Sequence, residues 1–169
     1  MSQTELGKRF HIDTIIPPVA DNTHYVDAGA ITIGVEYRVV DEAIVMANLN
    51  SHGMDRPPHG ARQQIDEDGG VSLHVCDAAT RTEYLRFDMF AASPHYHYLC
   101  NNEYQINIPY DSNACGDMTE WAFGCLRNRL PDMLSYCGAT ELAAQLDPVQ
   151  IEAAMSQVID LVGRSAQAG

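Results

Sequence analysis

The chain has 169 residues, 46% hydrophobic and 20% charged, which suits one compact domain with a real core and excludes a disordered chain. Its 23 acidic and 10 basic side chains give a formal net charge of −13. That balance argues against a nucleic-acid partner, which needs clustered Lys and Arg, and against docking on anionic lipid.

Residues 1–26 read as an irregular arm. Lys8 and Arg9 lack the apolar run that a signal peptide needs, and the Ile15-Ile16-Pro17-Pro18 stretch removes two backbone donors, so no regular element is expected there. From Ala30 to Val40 the chain alternates cleanly. Ile31, Ile33, Val35, Tyr37 and Val39 lie on one face and Thr32, Gly34, Glu36 and Arg38 on the other, which predicts a long strand. Asp41 is placed to cap a short helix to Leu49. Residues 50–70 then read as a long loop containing His52 and His59, which are expected to be plain surface residues.

Three more strand-like runs follow, Val71 to Cys76, Tyr84 to Phe90 and His95 to Cys100, and Glu103 to Ile108 makes a fifth strand. Asn101-Asn102 between the last two is expected to form a two-residue hairpin turn, because Asn tolerates the left-handed conformation. The final third is helical. Asp117-Met118-Thr119-Glu120 is a capping-box pattern, Pro131 must kink or divide the helix it starts, Gly138 is placed to end it, and Asp147-Pro148 opens another. Strands followed by helices without alternation indicate an α+β fold. The expected architecture is an antiparallel meander of about five strands packed by C-terminal helices, forming one domain over residues 27–165. No apolar stretch approaches the roughly 20 residues that cross a bilayer. Five scattered cysteines without C-x-x-C spacing fit reduced thiols in a cytoplasm, and a bacterial one suits.

The densest chemistry lies in Pro94-His95-Tyr96-His97-Tyr98. Strand side chains alternate, so His95 and His97 point the same way. With Asn101-Asn102 as the turn, His97 faces Ile106 and His95 faces Ile108. The histidines then share the apolar face that the helices cover, and Tyr96 and Tyr98 share the open polar face with Glu103. Slippage by one residue reverses both assignments. His-x-His followed by a carboxylate resembles the first cupin motif, through His95, His97 and Glu103. The spacing is too long, the preceding glycine is missing, and Glu103 falls on the other face. His74 is the obvious third ligand, yet the apolar side of its own strand sends it away from His95 and His97. Two imidazoles alone make an incomplete metal shell, so the plain reading is a hydrogen-bonded pair of core histidines.

Arg86 and Asp88 form a second constellation, sharing a face two residues apart, with Tyr98 on the next strand. Arg offers a planar fork for an acidic ligand and Asp can orient an imidazole, which reads as a substrate-binding surface. The plain alternative is a solvated ion pair. No nucleophile motif and no nucleotide-binding glycine loop is present. A divalent metal is compatible with His95 and His97 without being the favoured cofactor reading.

The run Tyr84-Leu85-Arg86-Phe87-Asp88, then Pro94 to Tyr98, then Trp121 and Arg129-Leu130-Pro131-Asp132-Met133-Leu134, resembles a family of small bacterial proteins of unknown function, over roughly residues 27–165. The resemblance implies a shared fold and transfers no catalytic residue. Three functions are compatible with the residues. The preferred one is an accessory or small-subunit protein that packs through its sheet or helical face on a second copy or a larger partner. The others are a small-ligand enzyme with His95 or His97 as general acid/base and Arg86 as anion anchor, and a metal-binding protein centred on His95 and His97.

Overall fold

The computed structural model describes residues 7–54, 67–100 and 103–168. Its frame is one antiparallel sheet of seven strands: β1 (Phe10–Ile12), β2 (His24–Ala28), β3 (Ile31–Val40), β4 (Asp68–Asp77), β5 (Glu83–Phe90), β6 (His95–Cys100) and β7 (Tyr104–Pro109). In space they run β1-β7-β6-β5-β4-β3-β2. The α+β class follows from the sequence pattern. The count does not, because the arm supplies both edge strands. At three and five residues these are too short to show an alternation, and pairing with a neighbour makes them strands. β2 turns into β3 through Gly29-Ala30, where Gly29 adopts φ 79°, a conformation that suits glycine at the first position of a two-residue hairpin turn.

The helices are α1 (Glu42–Ser51), α2 (Ser112–Cys115), α3 (Met118–Asn128), α4 (Leu130–Tyr136), α5 (Thr140–Ala143) and α6 (Pro148–Ala168). Their starts sit where the sequence signals place them. Asp41 accepts from the Ile44 amide at 2.8 Å, Asp117 from Glu120 at 3.0 Å and Asp147 from Val149 at 2.9 Å. Pro131 divides α3 from α4, and Gly138, at φ 88°, follows the end of α4. The predicted loop over residues 50–70 is shorter than expected, since α1 reaches Ser51 and β4 begins at Asp68; residues 55–66, with His59, lie outside the described residues. His52 is exposed just beyond α1.

One sheet face carries Ile31, Ile33, Val35, Leu73, Val75, Leu85 and Phe87, all fully buried, and the C-terminal helices cover it with Leu126, Leu130, Leu134, Met155 and Val158. Burying side chains of this size contributes about 1.5–3 kcal/mol each, which makes this layer the main source of stability. The opposite face is polar yet also buried, because the N-terminal arm crosses it. β1 and β2 lie at opposite edges, so residues 13–23 must span six strand spacings, about 29 Å, which a chain of that length reaches even with a 3-10 turn at Ala20–Asn22. We call this segment the strap.

The strap is held by hydrogen bonds in which it contributes backbone groups and the sheet contributes side chains. Gln105 Nε2 donates to Thr14 O at 2.5 Å, Arg38 Nη2 to Pro17 O at 3.1 Å, and the Val19 amide to Glu36 Oε1 at 3.3 Å. Pro17 and Pro18 donate nothing, which suits a segment that lies across a sheet instead of joining it. At Gly34 a methyl group would come within 2.9 Å of Thr23 Cγ2 and Tyr25 Cε1, so the glycine lets the chain pass close by.

Candidate functional site

The register of β6 against β7 decides where the histidines go. Cys100 pairs with Tyr104, His97 with Asn107 and His95 with Pro109. Three residues, 101–103, therefore separate the paired positions, where the sequence suggested two. The Asn101-Asn102 turn itself lies outside the described residues. This single step reverses the expected faces. Tyr96 and Tyr98 lie under the helices, with Tyr96 5.0 Å from Trp121 and Tyr98 4.6 Å from Tyr136 between ring centroids. Tyr98 is thus separated from Arg86 and Asp88 by the sheet, and the open tyrosine face expected as an interface is covered.

His95 and His97 instead join the polar face beneath the strap. His97 pairs with Arg86, His95 with Asp88, and on the other side His74 pairs with Arg86 and Ser72 with Asp88. His74, expected to point away from His95 and His97, shares their face. Glu103 lies at the turn, outside the cluster. Arg86 and Asp88 do lie together as the sequence suggested, but each is only 3% exposed, far from a solvated pair.

Two connected groups make up the face. In the first, His74 Nδ1 meets Glu83 Oε1 at 2.6 Å and His74 Nε2 meets Glu36 Oε2 at 3.1 Å. Arg86 donates through Nε and Nη2 to the two oxygens of Glu83 at 2.9 and 2.7 Å, so this edge of its fork is committed inside the protein, and at 3% exposure the residue is closed to an anion from solvent. A β-bulge explains Glu83. The register shifts between Val75 and Cys76, so that Glu83 sits opposite Cys76 and Tyr84 is the extra residue. Strict alternation from Leu85 would send Glu83 to the helix side; the bulge delivers it to His74. Burial alone would lower the His74 pKa, but hydrogen bonds to Glu36 and Glu83 outweigh it and raise the value. Burial would likewise raise Glu83, yet the Arg86 charge and hydrogen bonds bring it to about 2. Each ring nitrogen faces a carboxylate oxygen, which accepts, so the geometry suits His74 donating from both nitrogens.

In the second group, Asp88 takes the hydroxyl of Ser72 on Oδ1 in a short hydrogen bond. Its Oδ2 lies 2.9 Å from His97 Nε2 and 3.3 Å from His95 Nε2. His95 Nδ1 lies 2.6 Å from the Ser93 carbonyl oxygen. Burial lowers the His97 pKa to about 4 against the opposing pull of Asp88, so its imidazole is neutral. Burial would raise Asp88, but the His97 hydrogen bond holds it well below the usual carboxylate range. One ligand atom from each of Asp88, His95 and His97 falls within 4.8 Å of the others. His95 stands at the rim with 16% of its side chain exposed, while the other two are buried.

The matching residues extend well beyond this cluster. A family model described as Domain of unknown function (DUF7700) matches residues 25–162, most of the chain. The chain belongs to that family. The match includes the whole triad and the bulge and begins at Tyr25, so β1 and the strap precede it. No curated protein and no solved structure matches the chain. Among the described residues, no helix is long and apolar enough to cross a membrane.

Sequence reasoning named His95, His97, Arg86 and Asp88 and missed Glu36, Ser72, Glu83 and Gln105 as members of the buried face. Glu36 had a signal, as the acidic member of the polar side of a clear alternation. Glu83 had none, because a bulge leaves no mark in this stretch of sequence.

Proposed function

We propose that this protein binds one divalent transition-metal ion through Asp88 Oδ2, His95 Nε2 and His97 Nε2. The observation that carries the reading is the hydrogen bonding of His95. A carbonyl oxygen only accepts, so the contact with Ser93 O fixes the proton of His95 on Nδ1. The Nε2 lone pair then points at Asp88 Oδ2, 3.3 Å away. A lone pair against a carboxylate is repulsive, so either a second proton on the imidazole or a metal ion must lie between them.

Geometry and support both favour a metal as that cation. Bonds of about 2.0–2.1 Å at tetrahedral or octahedral angles separate neighbouring ligand atoms by roughly 2.9–3.4 Å. The two separations from Asp88 Oδ2, 2.9 and 3.3 Å, fall in that span. His95 also shows the usual outer support of a metal-bound imidazole, an N–H donated to a backbone carbonyl, and Ser72 orients Asp88. Two imidazoles and one carboxylate suit Zn(II) or Fe(II), and three protein ligands leave positions for water or a small ligand.

The test is calorimetric titration of the chelator-treated protein with Zn(II) and Co(II), alongside elemental analysis of the purified protein. About one equivalent is expected for the unaltered chain and for His52→Ala, and none for His95→Ala or Asp88→Asn. Equal binding by the unaltered chain and His95→Ala, or no binding by either, removes the reading.

A further inference from the structure

Among the described residues, two buried side-chain polar atoms lack a hydrogen-bond partner, His97 Nδ1 and Gln105 Oε1. They are not scattered. His97 pairs with Asn107, and Gln105 is two residues along β7 on the same face, the diagonal neighbour of His97. Diagonal positions on adjacent strands lie about 7–8 Å apart at Cα, within reach of long side chains. Both residues are 6% exposed, and a buried acceptor without a donor is unfavourable.

The pairing makes chemical sense in one state only. While His97 donates from Nε2 to Asp88, its Nδ1 is an acceptor, and so is Gln105 Oε1. Two acceptors cannot satisfy each other. When a metal takes the Nε2 lone pair, the imidazole proton must sit on Nδ1, which becomes a donor. Gln105 Oε1 is then a matching acceptor. The Gln105 amide orientation is fixed independently, because its Nε2 donates to Thr14 O of the strap. The carbonyl end therefore stays free for His97.

We infer that Gln105 is the positioning residue of the metal centre. It accepts the Nδ1–H of metal-bound His97, directly or through one water, and joins the centre to the strap through Thr14. This rests on the metal reading proposed above.

Three chains separate the possibilities: the unaltered protein, Gln105→Leu and Gln105→Glu, each titrated with Zn(II) after its fold is checked by circular dichroism. Leu removes both hydrogen bonds. Glu keeps an acceptor for His97 and loses the donor to Thr14. We expect Gln105→Leu to weaken Zn(II) binding about 10- to 100-fold, the usual effect of losing such a partner. Gln105→Glu is expected to stay within about threefold of the unaltered chain. If Glu binds as weakly as Leu, the strap contact alone matters and the acceptor role is overturned. If both variants bind like the unaltered chain, Gln105 has no part in the centre while the metal reading stands. If the unaltered chain binds no metal, both fall together. Nitrogen-15 spectra of the imidazoles give an independent readout without substitution: the His97 proton is expected on Nε2 before Zn(II) and on Nδ1 after it. A proton that stays on Nε2 overturns the inference.

Discussion

His74 donates to Glu83 across the β4–β5 pair at 2.6 Å, and its second nitrogen meets Glu36 of β3 at 3.1 Å. One side chain thus ties three strands together at full burial, with no exposed surface of its own. Removing it leaves buried Glu36 without its nearest cation and Glu83 with Arg86 alone. Breaking a buried ion pair in this way costs about 3–5 kcal/mol, far more than the pair's net contribution relative to an apolar replacement. His74→Leu is therefore expected to lower stability by that amount in urea denaturation. The surface pair Arg127 with Glu152, whose side chains are 35% and 63% exposed, is the contrast. Arg127→Ala is expected to cost no more than about 1 kcal/mol.

The same group gives stability a defined pH range. Glu83 is held at about 2 in the folded chain against 4.5 ordinarily, so its contribution is present above pH 4.5 and is lost as pH falls toward 2. A difference of about 2.5 corresponds to roughly 3 kcal/mol, shared with the partners that cause it. His74 works in the opposite sense. Its folded pKa is raised above 6.5, so its contribution is full below pH 6.5 and declines as pH rises through the folded value. His97, lowered to about 4 in the folded chain, makes stability fall as pH drops below 6.5, so urea midpoints measured in chelator should be highest near pH 6.5 and fall on both sides. Glu83→Gln should make the limb below pH 4.5 shallower, and a variant that keeps the same limb would show that Asp88 and other groups cause it.

Much of the scaffold was legible because its signals are local. The β3 alternation, the caps at Asp41, Asp117 and Asp147, and the break at Pro131 each depend on a few neighbouring residues, and each lies where expected. The site depended on non-local facts. A three-residue connection between Cys100 and Tyr104 in place of two moved both histidines across the sheet. A bulge beside Val75 moved Glu83. The strap turned what reads as a solvent-facing row, Glu36, Arg38, Ser72 and Asp88, into a buried one. Strand periodicity reports which residues share a face, and carries nothing about what lies over it.

Gly34 offers a direct probe of the strap. Its added methyl would sit 2.9 Å from Thr23 Cγ2 and Tyr25 Cε1 and 3.3 Å from His74 Cβ. Overpacking of this kind costs about 1–3 kcal/mol. Gly34→Ala is expected to lose that much stability and to speed limited proteolysis within residues 13–23. Thr23→Ser removes the methyl it would meet, so the double variant should regain part of the loss. Equal proteolysis rates for Gly34→Ala and the unaltered chain would show that the close approach does not hold the strap down.

Metal binding to the folded triad should appear as stability, because Asp88, His95 and His97 come from two strands that are adjacent only in the fold. A ligand that binds the folded chain alone at 100 times its dissociation constant adds about 2.7 kcal/mol. Zn(II) is therefore expected to raise the urea midpoint of the unaltered chain in a concentration-dependent way, and EDTA to reverse it. His95→Ala isolates the effect, since His95 stands at the rim and its removal opens less of the core than removal of His97 would. That variant should denature close to the metal-free unaltered chain and show no response to Zn(II). A full response in His95→Ala would place the stabilising metal elsewhere on the protein, at groups such as His11 with Asp13, which are 58% and 68% exposed and 3.0 Å apart.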